Sequence, residues 1–477
     1  PPASGRDRAD VEGERVPDVD TLPNENVWAV DSIPTITLAM SVRGEIPFQR
    51  VWCRPAMRHL LFNCGPVAHM AHGDVRTPVV GSNLVTREDF VLESGMGILV
   101  VDGTIMQIID SESLVSEYSG DAGIDILTDV GNKAIIPGFV DSHTHLLWSG
   151  DRSNEMRLRQ SGLSYQQIAA QGGGINKTVS ATRNSTELEL LKLGLERIER
   201  ALKFGTTSIE CKSGYGLTTE SELKLLKIVN QIQNETPIQI HPTWLGAHDF
   251  PSDSTADEYV EQLISEQLPE VVKQGIAKWV DVFCEPGWYS LDQTHEIVTA
   301  SRKAGLPSRL HVDEFVDGGG LNLAAELGSV SGDHVGHSSD DARAYAAESG
   351  TMQTFLPGTP YVLGKKLDLP LQKCLDEDWQ FAMATDFNPN CRSLSIPFVG
   401  SLATHRMGIS PLAALAAVTR NPATSLIRSE SDTVTGSIRV GGPGDLLILN
   451  SDDVDSWCQT PGDNPIDKII CRGIIVK

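Results

Sequence analysis

The chain contains no apolar run approaching the ~18 residues that a membrane-crossing helix needs. Positive charge is scarce: 39 Lys and Arg stand against 63 Asp and Glu, a formal net charge of -24. So acidic a surface argues against nucleic acid and against anionic membrane as partners, and leaves the fold open. The eight cysteines are scattered and form no C-x-x-C pair. Reduced thiols are expected rather than a disulfide framework. The N-terminus is acidic and lacks the basic and apolar regions of a signal peptide, so a cytoplasmic protein is expected. Gly172-Gly173-Gly174 lacks the Gly-Lys-Ser/Thr of a phosphate loop and follows no strand. It reads as a flexible rim loop.

What is present is an ordinary globular composition, 40% hydrophobic over 477 residues. That length suggests two or three domains, although a β/α barrel can absorb more than an average domain. Residues 1–56 have weak periodicity and read as a poorly ordered extension. Regular structure is expected from Arg58-His59-Leu60-Leu61-Phe62. A β-hairpin follows at Gly97–Ile109, turning at Asp102-Gly103. Strands at Asp445–Leu449 and Lys468–Cys471 make the other chain end β as well.

The middle reads differently. Strand-like runs at Ile135–Val140, Thr206–Glu210, Ile238–Trp244, Trp279–Cys284, Arg309–Val312, Val330–Asp333, Met352–Leu356 and Phe381–Thr385 alternate with helical patterns such as Glu187–Phe204 and Glu220–Gln233. Eight such units over 135–430 predict a (β/α)8 TIM-type barrel, whose chemistry sits where the strands end.

The first of these strands runs into His143-Thr144-His145. Residues two apart on a strand share a face, so both imidazoles can reach one metal ion. His311 ends the fifth strand and Asp386 the eighth. Singly, a histidine there is usually structural, and an aspartate before a helix is usually a cap. On one rim, His143, His145, His311 and Asp386 form the donor set of a catalytic metal site with room for water. Imidazole and carboxylate serve zinc and iron alike, so the ion is expected to be one or the other. The fourth strand ends Cys284-Glu285 without a lysine, and Lys212 follows the second strand. A single ion is therefore favoured, with Glu285 keeping a two-metal alternative open. Glu314, three residues after His311, and His334 on the next strand are candidate proton handlers, with Asp386 assisting. Arg152, in the loop after His145, is a candidate clamp for a substrate carboxylate. Tyr215 and His248 follow the second and third strands and are candidate substrate contacts. His241 lies inside its strand and reads as structural.

The run Pro137-Gly138-Phe139-Val140-Asp141-Ser142-His143-Thr144-His145-Leu146-Leu147-Trp148, followed in order by Gln-Gly-Gly-Gly-Ile, Glu-Cys-Lys-Ser-Gly-Tyr-Gly-Leu, Leu-Gly-Ala-His, His-Val-Asp-Glu and Thr-Asp-Phe-Asn-Pro-Asn, resembles the imidazolonepropionases of the amidohydrolase superfamily. The resemblance spans roughly 57–477. It implies hydrolysis of the cyclic amide 4-imidazolone-5-propanoate to N-formimino-L-glutamate, a step of histidine degradation. It implies zinc or iron at His143, His145, His311 and Asp386. It implies substrate contacts at Arg152, Tyr165, Tyr215, His248, Glu314, Asn388 and Asn390, with His334 as the catalytic histidine. Cys391 departs from the pattern, standing where many relatives carry a small polar residue. The resemblance also implies a homodimer, and a small β-sandwich domain built from both chain ends, 57–134 and 431–477. Two other readings remain: another mononuclear amidohydrolase, such as a heterocyclic-base deaminase, and an inactive scaffold on the same barrel.

Overall fold

The computed structural model describes residues 57–81, 86–120, 123–163, 167–168 and 171–477. The expected extension over 1–56 lies outside the described residues. At the centre are eight parallel strands, β1 (Phe139–Asp141), β2 (Thr206–Lys212), β3 (Gln239–Ala247), β4 (Trp279–Cys284), β5 (Ser308–Val312), β6 (Ser331–His334), β7 (Met352–Phe355) and β8 (Phe381–Met383), in sequential order around the barrel. Beyond the strand ends, a bridge between Thr144 and Phe387 links the first strand's exit to the eighth's. Two hydrogen bonds sit beside it: His143 C=O accepts from the Asp386 N–H (3.1 Å), and Phe387 C=O accepts from the His145 N–H (2.9 Å). The closure therefore joins the two loops that carry candidate metal ligands.

The connecting helices start where sequence chemistry says they should. Thr186 with Glu189, Thr255 with Glu258, and Ser290 with Gln293 each form a complete capping box, satisfying backbone N–H groups that a helix start leaves unpaired. Helix Glu187–Lys203 buries Leu190, Gly194, Ile198 and Ala201, one stripe at spacings of three and four.

The chain ends form two further sheets. One has the order Thr104–Asp110, Met96–Val101, Arg58–Cys64, Ile126–Asp129. The other runs Ile474–Ile475, Ile466–Cys471, Leu446–Leu449, Ile135–Pro137, Val67–Ala68, Val91–Leu92. Leu61, Ile98 and Val100 of the first share a core with Ile135, Leu446, Ile448 and Ile470 of the second. Leu447, Leu449, Ile469 and Cys471 point the other way, into the barrel's outer core. That sheet is buried on both faces, which is why Leu446–Leu449 is a continuous apolar run rather than an alternating one.

The strand expected over 135–140 is two strands. Ile135–Pro137 pairs with Leu446–Ile448, whereas β1 pairs with β2. The hinge is Gly138, whose N–H goes to Asp445 C=O at 3.0 Å. A Cβ there would lie 2.1 Å from Thr207 Oγ1, so only glycine lets the chain pass between the sheets. The triple glycine also differs from expectation. Gly173 caps helix Gly174–Asn184, and the Gly174 N–H donates to Glu155 Oε1 at 2.9 Å. Seven described cysteines are free and buried. Among the described residues, no helix is long and apolar enough to cross a membrane.

Candidate active site

The strand exits bring the imidazoles together. Ring nitrogens of His143, His145 and His311 lie within 4.8 Å of one another, and the same limit encloses atoms of His143, His334 and Asp386. Asp386 Oδ1 is 3.5 Å from His145 Nε2 and 3.7 Å from His143 Nε2, and His311 Nε2 is 3.2 Å from His145 Nε2. The outer ring nitrogens are fixed from behind. His143 Nδ1 bonds Asp333 Oδ2 at 2.8 Å, and His311 Nδ1 bonds Asp281 Oδ1 at 3.0 Å. A carboxylate accepts only, so each Nδ1 carries the proton and each Nε2 presents a lone pair inward. Thr359 Oγ1 donates to Asp386 Oδ2.

Three observations test the fit to a metal ion. His143 Nε2 and Asp386 Oδ1 are buried without a hydrogen-bond partner. Buried polar atoms are rarely left so. The inward atoms are imidazole nitrogens and a carboxylate oxygen, the donors that zinc and iron accept. His334 and Asp386 have positive φ (75° and 50°), a left-handed backbone uncommon for such residues and frequent at functional sites. The donor set fits.

A cavity of about 570 Å³ opens above these residues. Arg152, Tyr215, His248, Glu314, Asn388 and Asn390 line it, so all the described candidates for substrate contact reach one space. Tyr165 lies outside the described residues. Arg152 is buried in a bidentate pair with Glu155, Nε to Oε1 and Nη2 to Oε2 both at 2.9 Å. Glu155 also accepts from Gly174, so the rim helix and the guanidinium share one anchor. His248 stacks on His145 with centroids 4.8 Å apart, and its Nδ1 bonds Gly214 C=O at 2.9 Å. Glu314 Oε2 lies 3.6 Å from His334 Nε2.

Asn388 is mainly a loop builder. Its Oδ1 accepts from the Asn390 and Cys391 N–H groups at 2.8 and 2.9 Å. Asn390 Oδ1 accepts from Arg159 Nη1 at 3.3 Å. Cys391 is buried, its thiol directed to Thr385 C=O. Glu285, the residue that kept two metals open, accepts N–H groups of Glu314, Phe315 and Val316 at 3.0, 2.9 and 3.1 Å. Its carboxylate holds the loop that presents Glu314. His241 bonds Ser208 within the barrel, a structural role as expected.

Burial dominates the electrostatics. It pushes the Glu314 carboxyl well above its usual range, and Asp386 and Glu285 add to the rise. It raises Asp386 and drives His143, His145 and His334 well below the usual imidazole value. His248 falls to about 3, again chiefly through burial. These imidazoles are neutral at pH 7, the form that ligates a metal.

Several residues at the site were given no role from the sequence. Glu210, Lys212, Asp281, Arg309 and Asp333 point into the barrel beneath the histidines and are wholly buried. Their signal was present: charged residues at alternate positions of apolar strands, as in Glu210-x-Lys212 and Arg309-x-His311. Arg159, on the short helix Glu155–Gln160, and Lys365, in a loop, also line the cavity.

Residues 134–476 match the model of the amidohydrolase family. The imidazolonepropionase of Haloarcula marismortui is 37% identical over 397 residues, covering 83% of this chain and 92% of that one. The imidazolonepropionase of Symbiobacterium thermophilum is 35% identical, covering 87% of this chain and 96% of the relative. Among solved structures, A. niger ochratoxinase aligns with a TM-score of 0.61 at 16% identity, over 89% of this chain and 96% of that one. Guanine deaminase from C. acetobutylicum aligns with a TM-score of 0.60 at 16% identity, over 88% of this chain and all of that one. At that identity the likeness speaks for the fold alone.

Proposed function

The chain belongs to the amidohydrolase family and, within it, to the imidazolonepropionases, and from that premise we propose how its residues carry out the reaction. It is a hydrolase of C–N bonds other than peptide bonds, acting in histidine degradation. The substrate is 4-imidazolone-5-propanoate and the product N-formimino-L-glutamate. One observation carries the reading: His143 Nε2 and Asp386 Oδ1 are buried without hydrogen-bond partners, beneath a cavity with Arg152 in its wall.

We assign one zinc or iron ion per subunit to His143, His145, His311 and Asp386. Such an ion supplies Lewis acidity and a water of lowered pKa. Glu314 receives a proton from the attacking water at Oε2, a role suited to a carboxyl whose proton affinity is raised by burial. Neutral His334, 3.6 Å away, donates from Nε2 to the developing oxyanion. Water adds to the ring carbonyl carbon. The added oxygen's second proton passes to Asp386 and from it to the leaving nitrogen as the ring C–N bond breaks and the carbonyl re-forms, and Glu314 returns its proton to solvent. Arg152 holds the propionate. Its guanidinium is fixed by Glu155, so little freedom is lost on binding. Tyr215, His248, Asn388 and Asn390 orient the ring, and Tyr165 completes the contacts. We divide the chain into a composite β-sandwich of 57–137 and 431–477 and a barrel of 138–430, the expected boundary at 134 moving to Gly138 because Ile135–Pro137 pairs with Leu446–Ile448. We propose a cytoplasmic homodimer on the resemblance alone.

A heterocyclic-base deaminase is the other reading. Three cationic residues on the cavity wall, Arg152, Arg159 and Lys365, weigh against it, because a neutral base requires no such wall. The test is incubation with freshly prepared imidazolone propanoate, following loss of its absorbance with and without chelator. Chelator-sensitive loss is expected. A protein that deaminates bases and leaves this compound untouched overturns the proposal.

A further inference from the structure

The charges beneath the histidines take no part in the chemistry above, yet they are organised around a single atom. Lys212 Nζ lies 2.7 Å from Asp281 Oδ2, 3.0 Å from Glu210 Oε1 and 4.0 Å from Asp333 Oδ2. All four side chains are fully buried. Each carboxylate then grips a different part of the ligand set. Asp281 Oδ1 accepts from His311 Nδ1 at 3.0 Å and from the His311 backbone N–H at 3.2 Å. Asp333 Oδ2 accepts from His143 Nδ1 at 2.8 Å. Glu210 Oε2 accepts from the Thr144 N–H at 3.0 Å, the peptide between His143 and His145. Thr144 Oγ1 also donates to Glu210 C=O at 2.6 Å, so that peptide is held twice.

We propose that Lys212 is a positioning residue that sets metal affinity, holding Asp281, Glu210 and Asp333 as the fixed acceptors that aim His311, His143 and the His143–His145 peptide. The inference rests on the metal reading above. The chemistry suits a lysine. An ammonium is a compact charge that can hydrogen-bond Glu210 while attracting Asp281 and Asp333 from other sides, whereas a guanidinium spreads its charge and donors in one plane. Without Nζ, three buried carboxylates repel one another, and the remaining cation is Arg309, whose Nε is 3.5 Å from Asp333 Oδ2. The acceptors then shift, and the imidazoles lose the partners that fix their tautomer and direction. Lys212 acts only through these residues, so substrate binding is not its task.

The experiment measures zinc affinity by chelator competition on metal-stripped, refilled protein, for wild type, Lys212→Met and Glu210→Gln, each checked for folding by circular dichroism. Zinc binding by Lys212→Met is expected to weaken about 10- to 100-fold, the usual effect of losing outer-sphere support. Glu210→Gln, which removes one of the three arms at constant shape, should weaken it less. At saturating zinc, the KM of Lys212→Met should match wild type. A folded Lys212→Met with wild-type zinc affinity overturns the proposal, as does a raised KM with zinc affinity unchanged. If Lys212→Met does not fold, unchanged affinity in Glu210→Gln overturns it. Wild-type protein that holds no zinc or iron overturns the metal reading instead.

Discussion

Two interiors meet at Gly138, and they are built on opposite principles. The sandwich of the chain ends is filled with aliphatic side chains: Leu61, Ile98, Val100, Ile135, Leu446, Ile448 and Ile470. The barrel, beneath its histidines, is filled with Asp141, Glu210, Lys212, Asp281, Arg309 and Asp333, all equally buried. Apolar burial stabilises at about 25 cal/mol per Å² without demanding direction. Buried charge costs desolvation and must be paired atom by atom. The barrel keeps that costly arrangement because it aims imidazoles. The sandwich has nothing to aim and keeps the stabilising one.

The contrast can be broken from either side. The largest effect is expected on the barrel side. Glu314→Gln should lower kcat about 10²- to 10⁴-fold, the range for losing a general base, with metal content and unfolding midpoint unchanged. Turnover near wild type would remove Glu314 from the chemistry and leave the polar rim without its main function. In the sandwich, Ile470→Ala should cost about 2–5 kcal/mol in urea unfolding, through lost burial and the cavity left behind. Its KM and zinc content should be those of wild type. A changed KM would show that the two interiors are coupled.

The smallest effect tests the one fully buried imidazole among the described residues of the sandwich region. His59 is buried, its ring nitrogens 2.9 Å from Gly473 C=O and from Thr128 Oγ1. Burial lowers its pKa, and the bond to Gly473 only partly opposes this. A histidine held neutral in the fold contributes fully above the unfolded value of about 6.5. That contribution is lost as pH falls from there toward the lowered folded value, at no more than about 1.4 kcal/mol per pH unit. The stability difference between wild type and His59→Gln, measured from pH 7.5 to 5, should therefore shrink as pH falls. A difference that stays flat removes the linkage.

How far the sequence could be read follows from the same contrast. Period-two alternation and short apolar runs report which face of a strand is buried, so the barrel strands fell close to their expected bounds. The candidate ligand histidines were legible because each lies where an apolar run stops. The acceptors behind them were not. Asp281 and Asp333 sit inside strands, where an isolated acidic residue gives no hint of which imidazole it will meet across the barrel. The break at Gly138 was hidden for a similar reason. Ile135–Asp141 reads as one strand, and only the approach of Thr207 from another element forces two.

The sequence by itself determined the barrel, the β character of both ends, and the identity of the groups that can hold a metal, because these depend on local periodicity and on residue type. The tertiary structure decided which Nδ1 each carboxylate holds, and that a lysine at the end of the second strand stands under candidate ligands from the first and fifth. Those facts rest on distances between residues far apart in the chain, 190 positions in the pair His143–Asp333, which only chain closure sets.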